Sequence, residues 1–529
     1  MKTIKYMRIF MIMFLCGTFS ACDFLKEDLP NSFDVDGYYQ NQEQAVKGLY
    51  GLYSAVRDVV FGIDLTSITD LMADDMEFLN TDVQRRTLNN LTYDKRNKYF
   101  YNVWVNLYKV IGNANVVIDK STQLTESEPA KYANDCAQII GEAKFIRAWA
   151  YMHLLQLWGD VPLITAPTYS LDYVAYPQRD PADKIREQIH EDLTAAEVLN
   201  DSPYSITIKR DITYPMTITR SAVKLLHAKL YLLEKNYNKC ISEVEYLVKD
   251  RYPVTFDLVS DFSLLFDVAE TKNPERKKEV IWEIEAKAAT SYNNKSHREF
   301  APKSAIEGCK TTGYQNYVPS TSLFEAFSKQ SSDKRYDCIY RMSGGKPCIM
   351  KKVDYLTNDQ NMGGCGEVLL RFADAVLIYA EALNAIGDTP GAAEWINKIR
   401  NRAGLIRKIG SLTIGNIKPT LSQEVMQDTI IAERRMEFAH EGHRLYDLKR
   451  VGKWKTMIQR YNSDMKRYMA AGSLNFALGP NIEGSTTAMK LTVPFVEIIK
   501  SDDDRSLLHP LPESEVLINK NLLPDNPGY

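Results

Sequence analysis

The richest concentration of reactive side chains runs from Ala432 to Arg450, AERRMEFAHEGHRLYDLKR. Carboxylates, guanidinium groups and two histidines are the residue types of acid–base and metal chemistry, and their spacing tests that chemistry directly. Glu433, Glu437 and Glu441 recur every four residues, so a helix aligns them along one face. A glycoside hydrolase needs two carboxylates flanking its substrate, about 5–10 Å apart, and three along one face flank nothing. His440-Glu441-Gly442-His443 departs from the zinc-protease pattern H-E-x-x-H, because its histidines are three residues apart instead of four and no third ligand accompanies them. The segment reads instead as structural. Glu433 and Glu437 have Arg434, Arg435, Arg444 and Arg450 as partners, Glu441 can pair with Arg444 across a turn, and Met436, Phe438, Leu445, Tyr446 and Leu448 can pack on adjoining helices. The expectation is a scaffold clamp, with no catalytic residue, no bound metal and no cofactor.

The elements that position such a clamp are helical. Residues 42–60, 98–119 and 132–158 carry apolar side chains at helical spacing, the last stopped by Gly159 and Pro162. Residues 225–248 and 377–400 look like two copies of one helical hairpin. Each has a turn signal in the middle and small residues where its helices touch: Ala228 with Cys240, and Ala380 with Ala392. Such pairs resemble tetratricopeptide units, here scattered along the chain and packed together. Between the hairpins, residues 279–288 (EVIWEIEAKA) read as a strand, whereas 291–316 and 342–366 are rich in Asn, Gly, Ser and Lys and read as loops. Residues 61–95 also read as irregular, and the tail after 455 as loop-rich.

With 529 residues, 45% hydrophobic and 25% charged, the chain has the composition of a globular protein, and a net charge of −3 gives no support for a nucleic-acid partner. The first residues are a different matter. Lys2, Lys5 and Arg8 precede a short apolar run, Ile9 to Leu15, which is a secretory signal and too short for a membrane span. Phe19-Ser20-Ala21-Cys22 resembles a bacterial lipobox, with Phe in place of the usual Leu or Val, which implies that Cys22 is lipidated; an unlipidated cysteine after an ordinary signal is the alternative. Asp23-Phe24-Leu25-Lys26-Glu27-Asp28 resembles an export signal of surface lipoproteins. Six further cysteines contain no C-x-x-C. An oxidising compartment permits disulfides among Cys309, Cys338, Cys348 and Cys365, while Cys136 and Cys240 fall in helical patterns and read as buried thiols.

Five blocks then occur in a telling order: VWVNLYKVIGNANVVID (103–119), GEAKFIRAWAYMHLLQLWGDVPLI (141–164), LLRFADAVLIYAEALN (369–384), INKIRNRAGL (396–405) and ERRMEFAHEGHRLYDLKR (433–450), followed by a terminal NPGY. Together they resemble the SusD/RagB family of surface lipoproteins, across essentially the whole mature chain. The resemblance implies a mainly α fold, with four tetratricopeptide-like helical pairs packed against a variable loop-rich region with a few short strands. It divides the chain into a signal peptide (1–21), a lipidated N-terminus and tether (22–40) and a single domain (41–529). In that domain the helical scaffold covers 41–250 and 366–455, the variable ligand-binding insertions about 61–95 and 255–365, and the loop-rich C-terminal part 456–529.

The same resemblance implies non-enzymatic capture of a glycan at the cell exterior and its delivery to a SusC-like TonB-dependent transporter, on which the lipoprotein acts as a lid. The lipid anchor would hold it to the outer membrane. Sugar recognition needs aromatic faces together with amides and charged groups for the hydroxyls. The candidates are Tyr314, Gln315, Asn316 and Tyr317, where family members often place a binding aromatic, with Phe78, Asn80, Arg85 and Tyr93 from the earlier insertion. Trp104, Trp149, Trp158 and Trp282 fall on regular elements and read as core. Capture of peptides or another nutrient is the alternative, and an enzyme or purely structural envelope protein the third reading.

Overall fold

Two 30-residue helices form the spine of the protein, in a computed structural model that describes residues 35–169, 176–201, 216–249, 255–271, 273–288, 293–330, 332–344, 346–409, 411–471, 500 and 507–529. Helix α1 (Gln42–Val60) starts where the Asn41 side chain accepts from the amide of Gln44, and it buries Ala45, Leu49, Leu52, Tyr53 and Val56 on one face. Helices α2 (Lys98–Ser127) and α3 (Pro129–Trp158) follow as a tightly packed pair, α2 capped by Asn97 and α3 opened by Pro129. The second half of α3 is buried nearly all round, from Phe145 to Trp149 and on to Trp158. It ends at Gly159, whose φ of +75° is the left-handed conformation that favours glycine.

Helix α4 (Ala182–Ala196) packs on α3. The two predicted hairpins are present as α5 (Arg220–Leu233) with α6 (Tyr237–Val248), and α7 (Phe372–Ala385) with α8 (Thr389–Arg402). Asn236 and Asp388 cap the second helix of each pair. Ala228, Cys240, Ala380 and Ala392 are fully buried, and α6 packs on α7, so the two pairs touch although about 120 residues of chain separate them. Helices α9 (Gln423–Glu437), α10 (Arg444–Arg450) and α11 (Trp454–Ala471) complete the scaffold. The fold is thus mainly helical, built from helix pairs with a few short strands.

Every strand pair among the described residues is antiparallel and two-stranded. Strand β1 (Met76–Phe78) pairs with β3 (Tyr317–Pro319), Phe78 opposite Tyr317, and so joins the two stretches read as insertions. Strand β2 (Val280–Ile284), inside the predicted 279–288, pairs with β6 (Glu367–Arg371), and β4 (Tyr340–Ser343) with β5 (Lys346–Ile349). Trp104, Trp149, Trp158 and Trp282 are all core.

Three expectations meet a different outcome. Residues 61–95 contain helices Ile63–Ile68 and Val83–Asn89, the second started by the Asp82 side chain accepting from the amide of Arg85. The C-terminal part opens with α11, because Trp454, Met457, Ile458, Tyr461 and Met465 recur at helical spacing and are buried. All six cysteines from Cys136 onward are free thiols, so the disulfides permitted among Cys309, Cys338, Cys348 and Cys365 are not formed. The leader and Cys22 lie outside the described residues.

Candidate functional site

The segment 432–450 is two helices with a turn between them. Helix α9 ends at Glu437, His440 (φ +64°) and Gly442 (φ +82°) reverse the chain, and α10 begins at Arg444. The expectation of pairing within the segment is therefore corrected: its charges reach mostly to distant elements. Arg371, on β6, donates to Glu437 at 2.5 Å, to Glu279 at 2.9 Å and to Glu441 at 2.8 Å. Arg335 donates to Glu437 at 3.0 Å and lies 2.8 Å from Glu433, whose other oxygen accepts from Arg400 at 2.7 Å. Arg435 and Arg444 donate to Asp75 and Asp74 at 2.6 and 2.7 Å, and Arg434 bridges Asp374 and Asp447.

Burial alone would raise the pKa of Glu437, but Arg402, Arg371 and Arg335 outweigh it and hold this carboxyl well below the usual range. Burial opposes the charge of Lys351 and brings its pKa down to about 8, despite its contact with Glu441. His440 bonds to the hydroxyl of Tyr340 at 2.8 Å, while His443 stacks on Phe438, and burial keeps both histidines neutral. Glu433, Arg434, Glu437 and His440 are each at most 3% exposed. The segment also lines a cavity of about 150 Å³, through Arg434, Glu441, His443 and Tyr446, with Asp70, His153, Lys352 and Glu367 among the other lining residues. Its charges are already engaged: Lys352 pairs with Glu367 at 2.6 Å, and Asp70 accepts from the amide of Gly442.

The structure brings five of the eight candidate binding residues together, but as a mutually bonded knot in which Phe78, Asn316 and Tyr317 are buried, Arg85 is half-buried and Asn80 is exposed. The ring of Phe78 meets that of Tyr317 edge-on at 5.3 Å, and the Arg85 guanidinium lies over both rings. Arg85 donates to Tyr99 and, at 3.0 Å, to Glu299. Asn80 donates to Asn316 at 2.9 Å, and Asn316 donates to Glu299 at 2.7 Å. Tyr317 is fully buried, with its hydroxyl 2.7 Å from Ser67. Gln315 is buried and bonds to backbone groups of Lys303 and Lys346. Tyr93 is buried elsewhere, stacked on Tyr529.

Tyr314 alone among the candidate aromatics presents its ring to solvent, at 44% exposure. Its amide donates to the carbonyl of Arg298 at 2.7 Å, and the Arg298 guanidinium lies 5.4 Å from the ring centroid. Arg298 also donates to the side-chain oxygen of Asn361 at 2.7 Å. The supporting loops are held close: Asn294 exchanges a backbone bond with Gly363, and a Cβ on Gly313 would come within 2.4 Å of the Arg298 carbonyl. The result is an exposed aromatic face beside a guanidinium, which is itself bonded to an amide side chain. Apolar C–H groups can stack on such a face, and hydroxyl oxygens can accept from such donors. Arg298 and Asn361 were not singled out from sequence. Both fall in stretches read as loops, and nothing in their spacing marks them within those stretches.

A family model described as "SusD family" matches residues 339–529, and another described as "Starch-binding associating with outer membrane" matches residues 23–232. The chain belongs to the SusD/RagB family. Among its SusD relatives, "SusD-like protein P2" of Formosa agariphila is 26% identical, over 99% of this chain and all of that protein. A SusD homolog from Bacteroides thetaiotaomicron has the same fold, with a TM-score of 0.76 at 19% identity, over 94% of this chain and 99% of that one. The surface glycan-binding protein A of Bacteroides thetaiotaomicron, solved in complex with laminarihexaose, aligns with a TM-score of 0.67 at 18% identity, over 92% of this chain and 99% of that one. At these identities the structural likeness concerns the fold.

Proposed function

We propose that this SusD-family protein captures an oligo- or polysaccharide at the cell surface and delivers it, unmodified, to a SusC-like TonB-dependent transporter. The observation that carries the reading is the exposed ring of Tyr314, beside the Arg298 guanidinium that Asn361 holds. The charged segment around Glu437 offers no competing site, since its groups are buried and mutually paired. The binding of laminarihexaose by a protein of similar fold supports glycan as the ligand class. Signal cleavage and lipidation at Cys22 would anchor the protein to the outer membrane, and no helix among the described residues is long and apolar enough to cross one. In this reading the paired helices are tetratricopeptide-like, with Ala228, Cys240, Ala380 and Ala392 at the close approaches.

Capture of peptides is the second reading. It is favoured by Arg298, whose guanidinium would pair with a peptide carboxylate. Affinity electrophoresis of the purified protein through gels containing laminarin, amylopectin, xylan, mannan or pectin tests the first reading, and calorimetry with a mixed peptide library tests the second. Retardation by at least one polysaccharide, with no release of shorter sugars, is expected. Heat on peptide addition without retardation by any polysaccharide would favour the alternative.

A further inference from the structure

Away from these loops, α4, α5 and α6 meet at a polar cluster that neither the clamp nor the proposed glycan surface uses. Glu197 follows the last residue of α4, His227 sits within α5, and Glu243 lies on α6. One carboxylate oxygen from each acid and one ring nitrogen of His227 all lie within 4.8 Å of one another. His227 is 3% exposed, so its ring is shielded from bulk water.

One edge of that ring is engaged. His227 Nε2 lies 2.8 Å from His190 Nδ1, and His190 Nε2 lies 3.0 Å from Glu234 Oε1. A carboxylate only accepts, so Nε2 of His190 carries the proton facing Glu234. The Nδ1 of a neutral His190 is then an acceptor and takes the Nε2 proton of His227. With His190 in its neutral form this relay leaves a bare lone pair on Nδ1 of His227, and this buried atom has no hydrogen-bond partner. A lone pair held beside two carboxylates away from water is unfavourable until a cation joins them. Lys224 answers only part of that need. Its ammonium lies 2.7 Å from Glu197 Oε1 and 3.0 Å from Glu243 Oε2, so it bridges the two carboxylates, yet no donor reaches His227 Nδ1.

We propose that Glu197, His227 and Glu243 form a binding site for a divalent transition cation of the zinc class, which ties α4, α5 and α6 together. One imidazole nitrogen with two carboxylate oxygens is a donor set that suits Zn²⁺, and a tetrahedral ion leaves the fourth position to water. At bond lengths of about 2.0–2.2 Å the donors would sit roughly 3.3 Å apart, a closure that rotation of the two glutamate side chains supplies. The Glu234–His190 pair acts as the outer shell that fixes the tautomer and orientation of His227. Lys224 is the rival cation, displaced toward solvent when the metal binds. The ligands come from three helices, which is why no spacing in the sequence announced them.

The test uses the full chain purified in detergent, stripped with a chelator and titrated with Zn²⁺ by calorimetry, with metal counted by mass spectrometry and Tm recorded in parallel. One equivalent per chain and a rise in Tm are expected. Glu243→Gln and Glu197→Gln, which keep shape and remove charge, are each expected to weaken Zn²⁺ binding at least about tenfold, with the circular dichroism of the wild type. Glu234→Gln is expected to weaken it about tenfold through His190 alone. A wild-type chain that takes up less than about a tenth of an equivalent, binding that survives both glutamine substitutions, or a preference for Ca²⁺ over Zn²⁺ would each overturn the assignment.

Discussion

Arg371 carries three acidic contacts at once, to Glu279, Glu437 and Glu441, while burial excludes the water that would otherwise solvate it. Removing one member of such a network strands its partners, at a cost of about 3–5 kcal/mol. Glu433→Ala and Arg435→Ala are accordingly expected to lower the stability by about that amount, and with it Tm and expression, with glycan affinity unchanged in the fraction that folds; thermal unfolding and affinity electrophoresis on the same samples check both halves. Asp70 behaves differently. Burial pushes its pKa up to about 7, well above the ordinary carboxylate value of about 4, although Lys352 works the other way. Between these values the folded state holds a proton that the unfolded state has released, so this residue's contribution to stability falls as pH rises from about 4 to 7 and stays low above that. Asp70→Asn is therefore expected to be more stable than the wild type at pH 8, by up to about 4 kcal/mol, with the gap closing toward pH 4. Urea unfolding at the two pH values measures it, and a gap that widens on acidification would refute the assignment.

At the scale of elements, the helices were legible because their apolar stripes and caps are local. Asn41, Asn97, Asn236 and Asp388 all accept from amides at helix starts, and Gly159 closes α3 where the sequence places a stop. The candidate site was legible only in part. Tyr314 was named from its residue type and its place before a helix, and it is exposed; Tyr317, three residues on, is fully buried by β1–β3 pairing. That pairing joins positions some 240 residues apart, which no local pattern encodes. The partners of the clamp were missed for the same reason, since Arg335, Arg371 and Arg402 arrive from separate elements. Gly313 links element to site. Gly313→Ala would place a methyl within 2.4 Å of the Arg298 carbonyl, so the loop must shift. The expected outcome is weaker glycan binding with little change in Tm, read by calorimetry and thermal unfolding. The tail has a comparable tie: Asn526 donates to the carbonyls of Trp158 and His509 at 2.9 and 2.7 Å, which fastens the NPGY terminus to the end of α3.

For the whole molecule, a rigid helical body carries its internal charge network on one set of elements and an open aromatic surface on another. Rigidity suits capture, because a preformed surface orders few groups on binding. The densest cluster of reactive residues thereby belongs to the scaffold, and recognition falls to loops that the scaffold holds in place. The most direct measurement compares polysaccharide affinity of the wild type, Tyr314→Ala and Glu433→Ala, using whichever polysaccharide retards the wild type in the gel. The account predicts at least about tenfold weaker binding for Tyr314→Ala, or about 1.4 kcal/mol, at an unchanged Tm, and wild-type affinity in folded Glu433→Ala. Wild-type affinity in Tyr314→Ala together with selective loss of binding in folded Glu433→Ala would contradict it.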